Sequence, residues 1–264
     1  MKLFFSEFKA NYQKYHFPYQ IWLLKEENDD VDEIYSHGFL PIRNLNNIYY
    51  LSRNLRVDLS KFELSSENRR VLNKTENIIS GLENLSEFDY SFAVQKFCLD
   101  YSKKRFNNNL FGATAIKNIF AKGVYNHVFV FSEKSSSKIV GYAVCFISEN
   151  ILQYAHSFYD LDYFKESLGA RMMIEAVSWA QKNNKKFAYL GTCYDESALY
   201  KTEFTGVEFF NGFGWSRNLE ELKELLKINN KAEEYLLKDK EYLEKFYRGD
   251  ISLILSNYGI RVNF

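Results

Sequence analysis

From Leu168 onward, apolar residues recur at four-residue steps, Leu168, Met172, Ala176 and Ala180, with Met173 and Val177 beside them. That spacing predicts an amphipathic helix with one stripe turned toward a sheet. On either side of it the period changes. Lys138 to Phe146 and Ile151 to Tyr159 read as two strands around the turn Ser148-Glu149-Asn150, an antiparallel hairpin, and Phe187 to Gly191 reads as a strand after the helix. Upstream, Tyr19 to Leu24 and Ile48 to Leu51 are the best strand segments of the first module. Ser65 or Ser66 suits the N-cap of a helix, because a serine oxygen accepts from a free first-turn N–H, and Arg69 and Arg70 then fall near that helix start. Phe88 to Phe106 and Thr114 to Phe120 read as helical, and Glu133 to Lys138 as a serine-rich turn between strands. From Leu219 to Tyr247, Leu222, Leu225, Leu226, Tyr235, Leu236, Leu243 and Phe246 predict one or two amphipathic helices, and Ile251 to Leu255 a short strand.

A chain of 264 residues holds one large domain or two small ones with a substantial core. The pattern divides it into an N-terminal module, 1–85, a central domain, 86–218, and a C-terminal stretch of helices with a short strand, 219–264. Thirty-four basic residues balance 34 acidic ones, so net charge alone gives no support for nucleic-acid binding. The distribution is uneven. Arg43 to Lys74 and Lys96 to Lys122 are rich in Lys and Arg, whereas Glu26 to Glu33 and Glu220 to Asp250 are acid-rich. A basic face for an RNA end and a solvated mixed surface both fit that distribution. No apolar run reaches the length of a membrane span, and charge interrupts Met1-Lys2-Leu3-Phe4-Phe5-Ser6-Glu7 too early for a signal peptide. The expectation is a soluble cytoplasmic protein. Cys98, Cys145 and Cys193 are odd in number and lack metal-ligand spacing, so reduced core thiols are expected, with no disulfide and no metal site. His16, His37, His127 and His156 are scattered, without triad spacing.

Hairpin, helix and strand in this order build the core of acyltransferases of the GNAT type. On that frame stand Ser167-Leu168-Gly169-Ala170, Tyr189-Leu190-Gly191-Thr192 and Tyr200-Lys201-Thr202-Glu203-Phe204, with Trp215 beyond. Gly38-Phe39, Arg56-Val57, Phe62 and Ser65 to Arg70 precede them. In order and approximate spacing these elements resemble the arginyl-tRNA and leucyl-tRNA protein transferases, which attach an amino acid to a protein N-terminus. The sequence departs from that family at Pro41 to Leu55, which has no cysteine, and at Thr192, where an aromatic residue is usual. The resemblance implies an α+β fold: a GNAT-like core of mixed, mostly antiparallel sheet flanked by helices, with a smaller N-terminal module and a C-terminal helical segment. It implies aminoacyl-tRNA as co-substrate with no further cofactor, and tRNA and acceptor N-termini as partners.

Peptide formation from an aminoacyl ester needs positioning more than bond activation, because an N-terminal amine has a pKa of about 7.7 to 8.0. Asp160, at a strand end before the helix, is a candidate to orient or deprotonate that amine; with Asp162 it equally suits a turn cap. Lys201 matches the family's Tyr-Lys, and a fixed cation there would select an acidic acceptor residue. Arg56, Arg69 and Arg70 are candidates for tRNA phosphate or acceptor carboxylate, since guanidinium binds both bidentately. Tyr49, Tyr50, Tyr154, Tyr159, Tyr189 and Tyr194 could stack a terminal base or fill the core, and Tyr189 with Tyr200, which flanks Lys201, completes the substrate-binding set. Two other readings stay open: an acetyl-CoA-dependent N-acetyltransferase, and a non-catalytic reader of N-termini. The first meets an obstacle at Phe164 to Arg171, where Glu166 and Arg171 occupy positions that a pyrophosphate-binding turn gives to a basic and a small residue.

Overall fold

Two sheets organise the chain in the computed structural model, which describes residues 1–43, 45–106, 111–121, 123–229, 239–250 and 253. The smaller sheet is built from β1 (Lys2–Glu7), β2 (Tyr19–Leu24), β3 (Phe39–Pro41) and β4 (Ile48–Leu51), with α1 (Val31–Ser36) between β2 and β3. Its order is β1-β2-β4-β3, antiparallel throughout. After it come β5 (Asn54–Asp58), α2 (Ser66–Lys74), β6 (Ile78–Asn84), α3 (Phe92–Phe106), α4 (Ala113–Ala121), β7 (His127–Glu133), β8 (Ile139–Ile147) and β9 (Ile151–Tyr159). Next are α5 (Leu168–Lys182), β10 (Phe187–Thr192), β11 (Val207–Phe210), β12 (Trp215–Ser216), α6 (Leu219–Asn229) and α7 (Lys240–Tyr247). The larger sheet runs β12-β11-β5-β10-β9-β8-β7-β6.

The expected hairpin is β8 and β9, the crossover helix is α5, and β10 lies parallel to β9. That is the order expected of a GNAT-type core, in an α+β fold with a mostly antiparallel sheet. The whole apolar stripe read from the sequence, Leu168, Met172, Met173, Ala176, Val177 and Ala180, is buried against the sheet. Ser65 caps α2 in a reciprocal capping box with Asn68, which satisfies one donor at each end of the pair. The expected division near residue 85 falls inside the larger sheet, because β5 and β6 both come from residues 54–84. β5 sits between β10 and β11, antiparallel to each. Its alternation sends Leu55 and Val57 into the main core and Asn54 and Arg56 to the other face, so polar residues hide a fully buried central strand. The strand expected at Ile251 to Leu255 lies almost wholly outside the described residues.

The smaller sheet packs its α1 side on the larger one through Tyr35, whose hydroxyl donates to Gln153 Oε1 and whose ring meets Tyr189 at 5.0 Å. Gly38 is obligatory at this junction. Its φ is +84°, and a Cβ there would lie 2.6 Å from the Phe210 ring. On the other face α5 lies along β9 and β10 and against α2.

Candidate functional site

β9 and β10 pair only from Ile151–Phe187 to Gln153–Tyr189, then part company. Past that point β10 bends at a register shift between Tyr189 and Gly191, where Gly191 has φ +82°, a conformation glycine adopts without steric cost. β9 carries its own bulge: Cys145 faces Tyr154 and Val144 faces His156, leaving Ala155 as the extra residue. The two irregularities open a cleft between the strands, and the β9 bulge sends Tyr154 and His156 to opposite faces of it.

Lys201 enters this cleft from the 3-10 turn Glu196–Glu203, which Asp195 caps by accepting from Ser197 N–H. Its Nζ donates to Thr192 O at 3.0 Å and stands 3.8 Å from the place a Cβ on Gly191 would take. Burial pulls the ammonium pKa below its ordinary value, and among the described residues no carboxylate forms an ion pair with it. Beside it, Cys193 N–H donates to Arg53 O at 2.9 Å and Arg53 N–H donates to the Tyr194 hydroxyl at 2.8 Å. The Arg53 guanidinium stands 5.1 Å over the Tyr194 ring, its pKa lowered by burial. The loop from β4 to β5 thus carries a second cation to the end of β10.

Tyr154 is the first residue of β9 beyond the parallel pairing. By strict geometry its buried hydroxyl has no hydrogen-bond partner among the described residues, and the Ser157 side chain lies beside it as a marginal one. Tyr101 and Tyr159, with ring centroids 4.9 Å apart, and the exposed Tyr200 complete this wall. Ser52 Oγ and both polar atoms of the Asn54 amide are also buried without partners among the described residues. On the opposite face His156 Nε2 and the Tyr125 hydroxyl are 3.1 Å apart, and the Arg43 guanidinium lies 4.6 Å over the Phe111 ring. Burial first, and the nearby Arg43 second, push the His156 pKa down to about 3, so this imidazole is neutral at physiological pH.

The other residues singled out from sequence fall elsewhere. Asp160 accepts from Asp162 N–H at 3.1 Å, capping the 3-10 turn Leu161–Glu166, and bonds Lys138 Nζ at 2.9 Å. Burial pushes its pKa up, but the Lys138 ammonium and the turn amide outweigh that and hold the carboxyl below its ordinary value. A carboxylate so satisfied is a cap, a poor base. Arg56 is no surface phosphate ligand either: its Nε and Nη2 are each 2.8 Å from Glu208 Oε2, and its guanidinium lies 3.9 Å from both the Phe187 and Trp215 rings. Tyr189 is a core residue, 1% exposed, packed on Tyr35 and Trp215. The Arg-Val and Tyr-Leu-Gly elements therefore build the sheet under the cleft. Arg69 and Arg70 sit on the exposed first turns of α2, Arg69 donating to Leu64 O and Arg70 paired with Glu67. Arg171 reaches away from the start of α5, donating to Leu72, Thr75 and Ile78 carbonyls and pairing with Glu175 at 3.0 Å.

Sequence reasoning counted Arg53 only within a basic stretch and Tyr154 only among rings for base stacking or core, and gave neither hydrogen-bonding chemistry at the site. The available signal was their adjacency to elements already marked: Arg53 precedes the Arg-Val strand, and Tyr154 lies on the expected β9.

The family described as arginine-tRNA-protein transferase, C terminus, matches residues 87–211. Curated relatives include an aspartate/glutamate leucyltransferase of Ruegeria pomeroyi, 21% identical over 169 residues. That alignment covers 61% of this chain and 60% of the relative, so less than two thirds of the relative's length is spanned. One of the same name from Campylobacter jejuni is 26% identical over 163 residues, covering 60% of this chain and 68% of the relative. Among solved structures, the C-terminal domain of a putative lysylphosphatidylglycerol synthetase from Agrobacterium fabrum aligns with a TM-score of 0.44 and 15% identity, over 54% of this chain and 46% of that one.

Proposed function

We propose that this chain, whose residues 87–211 match the family model described as arginine-tRNA-protein transferase, C terminus, moves leucine or arginine from aminoacyl-tRNA to the N-terminal amine of a protein that begins with an acidic residue. The observation that carries the reading is Lys201: a desolvated ammonium in the cleft, bonded to the Thr192 carbonyl and to no carboxylate among the described residues. Such a group gains most from an incoming anion. The names of the leucyltransferase relatives specify aspartate and glutamate, the residues such a cation would select.

In the proposed reaction the neutral acceptor amine attacks the ester carbonyl carbon, the carbonyl oxygen takes negative charge, and collapse breaks the bond to the terminal ribose oxygen. The proton lost by nitrogen ends on that ribose oxygen. The Tyr154 hydroxyl is the donor for the developing oxyanion, its missing partner supplied by the ester. Tyr200 and Tyr159 offer ring faces to the terminal base, and Arg69 and Arg70 supply exposed cations for the RNA backbone. No cofactor beyond the aminoacyl-tRNA is needed, and the reaction belongs in the cytoplasm, where charged tRNA is found. An acetyl-CoA donor is disfavoured by Glu166 at the start of the turn and by Arg171, which is bonded to α2 and Ile78 carbonyls.

The test is a transfer assay with purified protein, a mixture of charged tRNAs, and peptides beginning with Asp, Glu, Arg and Lys. Label is expected on Asp and Glu peptides and to require RNA. Acetyl transfer from acetyl-CoA, or no aminoacyl transfer to any peptide, would overturn the reading.

A further inference from the structure

Exposed rings concentrate, among the described residues, in the β1–β2 hairpin: Phe4, Phe5, Phe8, Tyr12, Tyr15 and Tyr19. Tyr12 is 81% exposed and Tyr15 74%. The tip holds a defined shape. Asn11 and His16 exchange backbone hydrogen bonds of 2.7 and 2.9 Å, and the Asn11 side chain accepts from Lys14 N–H at 3.1 Å. The Tyr15 ring stands edge-on to Phe17 at 5.1 Å and 6.3 Å from Tyr12. A four-residue turn needs none of these rings for its own folding.

Glu7 pairs across from Tyr19 at the base of the hairpin, and from Phe8 to Pro18 the formal charge has one sign. Between Glu7 and Glu26 the sequence has no Asp or Glu, while Lys9, Lys14 and Lys25 lie within. Exposed rings interleaved with Lys9 and Lys14 in a stretch whose own sequence from Phe8 to Pro18 has no Asp or Glu suit a single-stranded nucleic acid: bases stack on the rings and phosphates meet the ammonium groups. An acidic protein partner would use the cations and leave the rings idle; a second copy of this chain would bring like charge to like.

The hairpin also leaves the molecule on the side of the cleft. Trp22 pairs with Tyr50, and Gln20 Nε2 donates to Leu51 O at 3.4 Å. The start of β2 therefore lies where β4 runs on into Ser52 and Arg53, and Arg53 O receives the Cys193 N–H at the open end of β10. From Gln20 the tip at Tyr12 is at most about 26 Å away, at roughly 3.3 Å per extended residue.

We propose that the hairpin from Phe8 to Tyr19 is an RNA-binding platform that stacks unpaired bases of the donor tRNA while its acylated end lies in the cleft. This rests on the aminoacyl-tRNA reading above. The test measures binding by fluorescence anisotropy, with labelled deacylated tRNA and a short single-stranded oligoribonucleotide as probes, across a salt series. Two double variants are compared with wild type: Tyr12→Ser with Tyr15→Asn, and Lys9→Asn with Lys14→Gln. Asparagine suits the positive φ of Lys9 and Tyr15, and an unchanged melting temperature confirms folding. The tyrosine pair should weaken binding of both RNAs by tenfold or more, and the lysine pair should flatten the salt slope by about 1.4, the value for two single-strand phosphate contacts. Unchanged RNA affinity in both variants, with wild type binding and transferring normally, overturns the platform alone. A variant that loses self-association in sedimentation while keeping its RNA affinity overturns it in favour of a dimer surface. Wild-type protein that binds neither RNA overturns the tRNA-donor reading and the platform together.

Discussion

Replacing Tyr154 with phenylalanine should stabilise the protein and cripple the reaction, a pairing of signs that a merely structural tyrosine does not produce. Among the described residues the buried hydroxyl has only Ser157 beside it and no well-formed hydrogen bond, and leaving such a group unsatisfied costs about 1 to 3 kcal/mol. Tyr154→Phe removes that penalty and keeps the ring among Tyr101, Tyr200 and Cys145. A gain of about 1 kcal/mol would raise the melting temperature by roughly 2 to 4 °C for a chain of this size. If the same hydroxyl donates to the oxyanion, single-turnover transfer should fall by about 10² to 10³, the loss typical of removing one such donor. Peptide KM should barely move, because the interaction forms only as charge develops. The assays are a calorimetric melt and a rapid-quench transfer reaction on one preparation. A lower melting temperature would mean the hydroxyl has a partner after all; an unchanged rate would remove it from the reacting atoms.

Lys201→Met should weaken Asp and Glu peptides by more than tenfold, the equivalent of about 1.5 to 3 kcal/mol for a bond to a charged group, and spare peptides with neutral first residues; equal activity on an Asp peptide would take Lys201 out of the site. Arg56→Met leaves Glu208 with Arg217 as its remaining ion-pair partner and empties the slot between Phe187 and Trp215, so it should cost about 3 to 5 kcal/mol of stability in denaturant unfolding, whereas a surface phosphate ligand would lose RNA affinity at unchanged stability. His156 binds its proton less readily folded than unfolded, so the stability it contributes is complete above about pH 6.5 and is lost as pH falls toward about 3. Its share of the slope, up to about 1.4 kcal/mol per pH unit, should disappear from the pH–stability profile of His156→Gln, and an unchanged profile would refute the burial argument.

The crossover unit was legible because its period was unmixed: every stripe residue of α5 points one way, and β8 and β9 are buried enough to read as strands. The Ser65 cap was legible for a local reason, since a capping box involves only neighbours in sequence. β5 was not. Asn54 and Arg56 look like surface residues until Glu208, Phe187 and Trp215, far off in sequence, arrive to neutralise and cover them. The same long-range closure misdirected the site. Arg56 and Tyr189 belong to matched motifs that serve the sheet, whereas Asp160 was drawn into a turn by Lys138. Lys201 alone among the cations singled out from sequence reaches the cleft, beside Gly191, whose positive φ marks the β10 bend.

The placement of β5 ties the biosynthesis of this protein to its sequence order. A ribosome releases β5 long before β10 and β11, so the strand that will become the middle of the large sheet waits with Leu55 and Val57 uncovered until residues up to Phe210 have emerged. A fragment cut to residues 87–211 never receives it: β10 would face solvent along one edge and β11, without β5 and β12, along both, an invitation to pair with the wrong chain. Splitting the protein between its two halves thus yields two sticky pieces, and the pieces, mixed, hold in that missing strand the means to find each other again.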